Sequence, residues 1–181
     1  MTLFEYIAIA FSMVISFTVL RALSGVPHAV QTGKRYWVHL AWLASTLATV
    51  LLMFWAFWWN HGVEWNFITF ALVLVPPGLL YVFVSLLVPE DSSAVDSWKE
   101  HFFKVRLRLF LTAIAWDITA FMGLILSHRV GTPSILIFGA LFITHSVGAL
   151  SSEPKLHALL ATVPPAMVAV SGLTVFFQPM Q

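Results

Sequence analysis

Cysteine is absent from this chain of 181 residues. Disulfides, thiolate metal sites and cysteine nucleophiles go with it, and no redox compartment follows from the sequence. Charge is scarce as well: 9% of residues are Asp, Glu, Lys or Arg, against roughly 25% in soluble domains. A chain so poor in charge cannot coat itself with an ordinary aqueous surface. Its formal net charge of +1 offers no pull toward nucleic acid or an acidic partner. His, Asp and Glu never cluster at zinc-ligand spacing. No nucleophile and base stand together as acyl transfer or hydrolysis requires. The expectations are therefore no metal site and no enzyme.

What is there is hydrophobic. Such residues make up 60% of the chain, and the mean hydropathy is +0.90. The apolar runs cover residues 3–23, 37–59, 67–88, 105–127, 134–151 and 156–177. Each is near the roughly 17–25 residues a helix needs to cross the hydrocarbon. Backbone groups in lipid must be satisfied within their own segment, so the runs read as helices. The expected fold is an all-α integral membrane protein, one transmembrane domain over 1–181, built as a six-helix bundle. The first run lacks the positive start of a signal peptide, so it reads as a retained span.

Positive charge is divided unevenly among the connections. Arg21, Lys34 and Arg35 flank the first; Lys99, Lys104, Arg106 and Arg108 flank the third; Lys155 lies in the fifth. The second has none and the fourth only Arg129. Cytoplasmic loops carry the excess of Lys and Arg. The odd loops are thus expected in the cytoplasm and both termini outside, in the periplasm if the host membrane is a bacterial inner membrane. Within the third connection, residues 92–104 read as a short cytoplasmic amphipathic helix, with Trp98, Phe102 and Phe103 dipping into the interface. A solvated loop leading into the fourth span is the alternative. Trp55, Phe57, Trp58, Trp59 and Trp65 read as an outer aromatic belt.

Two spans carry a valine followed by paired prolines, Val75-Pro76-Pro77 and Val163-Pro164-Pro165. Each is the third helix of its half, and each ends near a further proline, Pro89 and Pro179. Three helices per half would make the halves inverted repeats, a design in which broken helices offer backbone polar groups at mid-depth. Pro76, Pro77, Pro164 and Pro165 are the candidate breaks, because proline removes an amide donor. Chance recurrence is the alternative, since proline is common in membrane helices.

Few polar residues fall at membrane depth. Glu5, Ser12 and Ser16 share one face of the first span. Asp117 lies midway along the fourth, where a carboxylate costs about 2.5–3.5 kcal/mol on insertion scales. It must be paired, protonated or wet. His145, His39 and Arg21 are its candidate partners, and Asp117–His145–cytoplasm would form a proton path. Each of these residues also has a plain reading, as interhelical hydrogen bonding that holds a bundle together. His39 and His145 could instead face one another around a b-type haem.

Three functions fit. The first is a channel or secondary transporter for protons or a small solute, using Asp117, His145, Glu5, Ser12 and Ser16. The second is a non-catalytic accessory or scaffold subunit of a larger complex or homo-oligomer. The third is a haem- or quinone-binding protein. Expected partners are membrane lipids and the helix faces of another copy or another membrane protein, through small residues such as Ala41, Ser45 and Gly139.

Overall fold

A computed structural model describes residues 2–176. The chain folds into helices α1 (Leu3–Ala29), α2 (Trp37–Phe57), α3 (Phe67–Leu87), α4 (Trp98–Leu126), α5 (Thr132–Leu150), α6 (Pro154–Leu160) and α7 (Val163–Phe176), with no strand among the described residues. Six stretches are long and apolar enough to cross a membrane: α1, α2 with the 3-10 turn that follows it, α3, α4, α5, and α6 with α7 taken together. The chain is an all-α, six-helix, multi-pass membrane bundle.

Local chemistry sets the helix starts. Thr2 and Glu5 form a reciprocal capping box on α1: the Glu5 amide donates to Thr2 Oγ1 at 3.2 Å, and the Thr2 amide to Glu5 Oε2 at 2.7 Å. Asn66 and Thr69 repeat the device on α3, and Ser97 caps α4. Pro133 and Pro154 occupy first-turn positions of α5 and α6, where their missing amides cost nothing.

Several expected features come out differently. The third connection contains no separate amphipathic helix. Residues 92–97 are loop, and 98–104 are the opening turns of α4 itself. Trp98 and Phe102 do not dip into lipid; both are 0% exposed. The Trp98 indole donates to the His28 carbonyl at 3.0 Å, and Lys34 Nζ to the Val95 carbonyl at 3.0 Å. Those bonds draw the loop over the bundle and carry the first aromatic residues of α4 into the core. Asp91 holds the loop's tight turn, accepting from Ser93 Oγ at 2.6 Å and the Ala94 amide at 3.2 Å. These bonds, Ser93's foremost, keep the exposed Asp91 carboxyl below the usual carboxylate range.

The proline pairs are also unlike each other. Pro76 and Pro77 do not break α3, which is continuous from Phe67 to Leu87. Both prolines are buried, so packing holds the helix across the lost amide bonds. The sixth span does break, at Ala161-Thr162, and Pro164 and Pro165 sit in the first turn of the helix that restarts. There they terminate nothing and fit a helix start. The third spans also differ in their neighbours: α3 packs along α1 and α4, whereas α7 packs along α2 and α5. Pro179 and residue 177 lie outside the described residues.

Two buried clusters divide the bundle along its length. One unites Ala22, Val38, Trp42, Leu43, Phe83, Val84, Leu87, Phe102, Leu109 and Phe110 at the end bearing most of the Lys and Arg, the basic end. The other joins Ile7, Phe11, Ile15, Val50, Phe57 and Leu80 toward the far end, on α1, α2 and α3 only. At the basic end backbones approach closely. A Cβ on Gly25 would stand 2.5 Å from Val88, and one on Gly148 would stand 2.7 Å from the Phe110 ring. Only glycine fits there.

Candidate functional site

Asp117 lies past the middle of α4 and His145 past the middle of α5, and their packing brings the two together. His145 Nδ1 and Asp117 Oδ2 are 2.6 Å apart, with side chains 6% and 2% exposed. The other carboxyl oxygen, Oδ1, is buried without a hydrogen-bond partner. One proton held between them makes the pair electrically neutral, as Asp⁻ with HisH⁺ or as AspH with His. That neutrality lets a carboxyl group persist at this depth, where a lone charge would cost several kcal/mol.

His145 also lines a cavity of about 1100 Å³. Its walls come from α2 (Ser45, Thr46, Thr49), α3 (Leu72, Pro76, Leu80), α4 (Ala113, Trp116, Ala120), α5 (Ile137, Phe138, Leu141) and α7 (Pro164, Met167, Val168). At the far end it meets Trp59, Asn60, His61, Arg129 and Gly131, residues of the second and fourth connections. Pro76 and Pro164 each contribute to the wall, so one proline of each pair faces the same space. Since Nδ1 is committed to Asp117, Nε2 is the ring nitrogen left to face the cavity.

Toward the basic end the space stops. Trp42 and Phe110 lie against His145, with ring centroids 5.5 and 6.2 Å away. Phe110 is 0% exposed and stacks on His157 at 5.5 Å, with Phe102 set edge-on to both. Arg106 closes this side. It donates to the carbonyls of Gly148, Ala149 and Ser151, the last carbonyls of α5 and its cap. His157 Nε2 meets the same Ser151 carbonyl at 2.8 Å. A guanidinium at a helix C-terminus satisfies carbonyls that have no partner within the helix. The expected proton path from His145 to the basic end is therefore shut by aromatic rings. What space there is runs from His145 the other way.

The remaining sequence candidates fall elsewhere. Glu5 belongs to the α1 cap, while Ser12 and Ser16 donate to their own helix carbonyls at 2.7 Å. That face of α1 looks outward beside Ile9, Met13 and Phe17; the buried face is Ile7, Phe11 and Ile15. Glu5, Ser12 and Ser16 are thus not part of the Asp117 site, because helix rotation turns them away from it. Arg21 is not the Asp117 partner either, since His145 takes that place. His39 faces different neighbours from His145. Its Nε2 is 3.0 Å from the Leu87 carbonyl and its ring lies 4.5 Å from that of Trp98. With that nitrogen on a carbonyl and the ring packed on Trp98, outside the cavity that His145 lines, His39 does not face His145 as a paired axial haem ligand. Among the described residues no three His, Asp or Glu side chains gather as a metal site.

Sequence reasoning overlooked His157, Arg106 and Phe110, which close the basic end. A histidine and an arginine near the ends of apolar runs were the available signal, but charge near a span end ordinarily reads as snorkelling. At the mouth, Arg129 Nη2 donates to the Trp59 carbonyl. Burial there draws its guanidinium below the ordinary arginine value. No family model, curated protein or solved structure matches the chain.

Proposed function

We propose that this chain is a membrane carrier: a small solute enters the cavity from the far end and is received at its floor by the Asp117–His145 pair. One observation supports the reading above all, a cavity of about 1100 Å³ that reaches His145 and stops there. A scaffold subunit has no need of a hollow centre ending on a neutralised acid–base pair. A channel needs a continuous path, and Phe110 with its neighbours interrupts one. A space open toward one side and ending at a polar site is the shape of a carrier in one of its two states. The positive-inside rule assigns the basic end to the cytoplasm and the cavity mouth to the outside, the periplasm in a bacterial inner membrane.

The lack of native cysteine makes the test direct. Thr49→Cys and Ala120→Cys place single thiols on the cavity wall. In vesicles of known orientation, a membrane-impermeant maleimide should label both from the far side. A fraction should also react from the basic side as the carrier turns over, while a Leu111→Cys control on the lipid-facing surface stays unlabelled. No labelling of the wall from either side would remove the carrier reading in favour of a scaffold. Full simultaneous labelling from both sides would indicate a channel.

A further inference from the structure

The cavity's charges and donors say what kind of molecule it takes, given the carrier reading on which this step rests. Below the mouth, His145 is the one ionisable group in the wall among the described residues. Arg129 stands at the mouth and is tied to Trp59. An ionic solute descending to the floor would lose its hydration and meet no fixed counter-charge, at a cost of several kcal/mol. Trp42, Phe83, Trp116, Phe138 and Leu141 instead offer an apolar and aromatic surface. The volume of about 1100 Å³ lies just above the roughly 300–1,000 Å³ usual for ligand sites. It has room for a ring or a hydrocarbon chain.

The nitrogen groups at the floor share one sense. With the dyad neutral overall, Nε2 of His145 carries hydrogen in both proton arrangements. In Asp⁻/HisH⁺ both ring nitrogens are protonated; in AspH/His the carboxyl donates to Nδ1, leaving the ring proton on Nε2. The group facing the cavity is a donor either way. Indole adds to this. Trp42, Trp65 and Trp116 all line the cavity, and their N–H groups are buried without partners. Each N–H is covered by neighbouring atoms, so an incoming oxygen reaches it by turning the ring. The Ser45, Thr46 and Thr49 hydroxyls donate to their own helix at 2.7, 2.8 and 2.9 Å, so they add no donor to the cavity and offer it only acceptor oxygens.

We infer that the ligand is an uncharged, mostly apolar molecule that presents an oxygen acceptor, a carbonyl group, to His145 Nε2 and the Trp42 indole. The carbonyl satisfies donors that otherwise stay unpaired in a dry site, and the apolar remainder fills the hollow above them.

Tryptophan on the cavity wall supplies the readout. The full chain in lipid nanodiscs is titrated with decylbenzoquinone, a neutral dicarbonyl that quenches indole fluorescence, and then with competitors of similar chain length. Dodecan-2-one should displace the quencher. Dodecane, dodecanoate and dodecyltrimethylammonium should each compete at least about tenfold more weakly. Replacing both dyad members, Asp117→Leu with His145→Phe, avoids stranding a buried charge and so preserves the fold. That variant should bind the ketone about tenfold more weakly and dodecane unchanged. Equal competition by dodecane, stronger competition by either ion, or no quenching at all would overturn the ligand class. The carrier reading fails separately, through unreactive Thr49→Cys and Ala120→Cys.

Discussion

The two ends of this bundle are made from similar residues and packed in opposite ways. At the basic end Phe102, Phe110 and His157 lie within one another's reach and Trp98 lies against His39, all 0% exposed. Here Gly148 is pressed against an aromatic ring. Toward the far end Trp116, Phe138, Leu80 and Gly123 surround about 1100 Å³ of space. A Cβ on Gly123 would meet nothing within 4 Å. Hydrophobicity alone therefore does not decide whether a membrane bundle is solid. Lipid tails are as apolar as leucine, so close packing depends on shape, small residues and hydrogen bonds. The basic end has all three, with the Arg106 clamp and the Trp98–His28 bond; the far half is packed only among α1, α2 and α3 and is open beside them.

The sharpest way to break this contrast is to hollow the solid end. Phe110→Ala removes a fully buried ring and should cost about 3–5 kcal/mol, read as an earlier midpoint in detergent unfolding. It should also let a basic-side thiol reagent reach Ser45→Cys. If stability stays unchanged, the basic end is not the packed plug described here. Arg106→Met comes next. Loss of its charged hydrogen bonds to the α5 carbonyls should cost about 1.5–3 kcal/mol, with faster amide exchange confined to residues 148–157.

Two glycine-to-alanine changes compare the ends most directly. Gly148→Ala should destabilise by about 1–3 kcal/mol through overpacking against Phe110. Gly123→Ala adds the same methyl group where there is room and should stabilise by about 0.5–1 kcal/mol through helix propensity. Equal effects in the same unfolding assay would erase the distinction. The smallest effect concerns the basic-end loop. Asp91 is held below its ordinary range, so its contribution is present above the unfolded carboxylate value and lost as pH falls through the lowered folded value. An NMR titration should find Asp91 ionising below the ordinary aspartate value, and Ser93→Ala should move it back up.

Much of the fold was legible because span length is local. A run of apolar residues must become a helix in lipid whatever its neighbours do, and each of the six runs falls on one of the six helices, though α1 runs on past residue 23 and α4 starts well before residue 105. Ends were harder. α1 continues past Arg21 and Pro27 to Ala29, and α4 begins at Trp98 because Ser97 caps it there. The site was half legible. Asp117 was conspicuous as a carboxylate at mid-depth, and His145 as a polar residue on a facing span. Nothing in the residue order said that Glu5, Ser12 and Ser16 face away. These helices are apolar nearly all round, so no polar stripe records their rotation.

From its residue order alone, this protein was bound to be six membrane-crossing helices with positive charge gathered at alternate connections. That follows from the cost of unpaired backbone in lipid, which each segment settles by itself. Tertiary packing decided the rest: that Asp117 meets His145, that Phe110 and Arg106 shut one end, and that the other half stays hollow. Those outcomes depend on how neighbouring helices rotate and on where a glycine admits a ring. Such relations exist only between segments, and no single segment carries them.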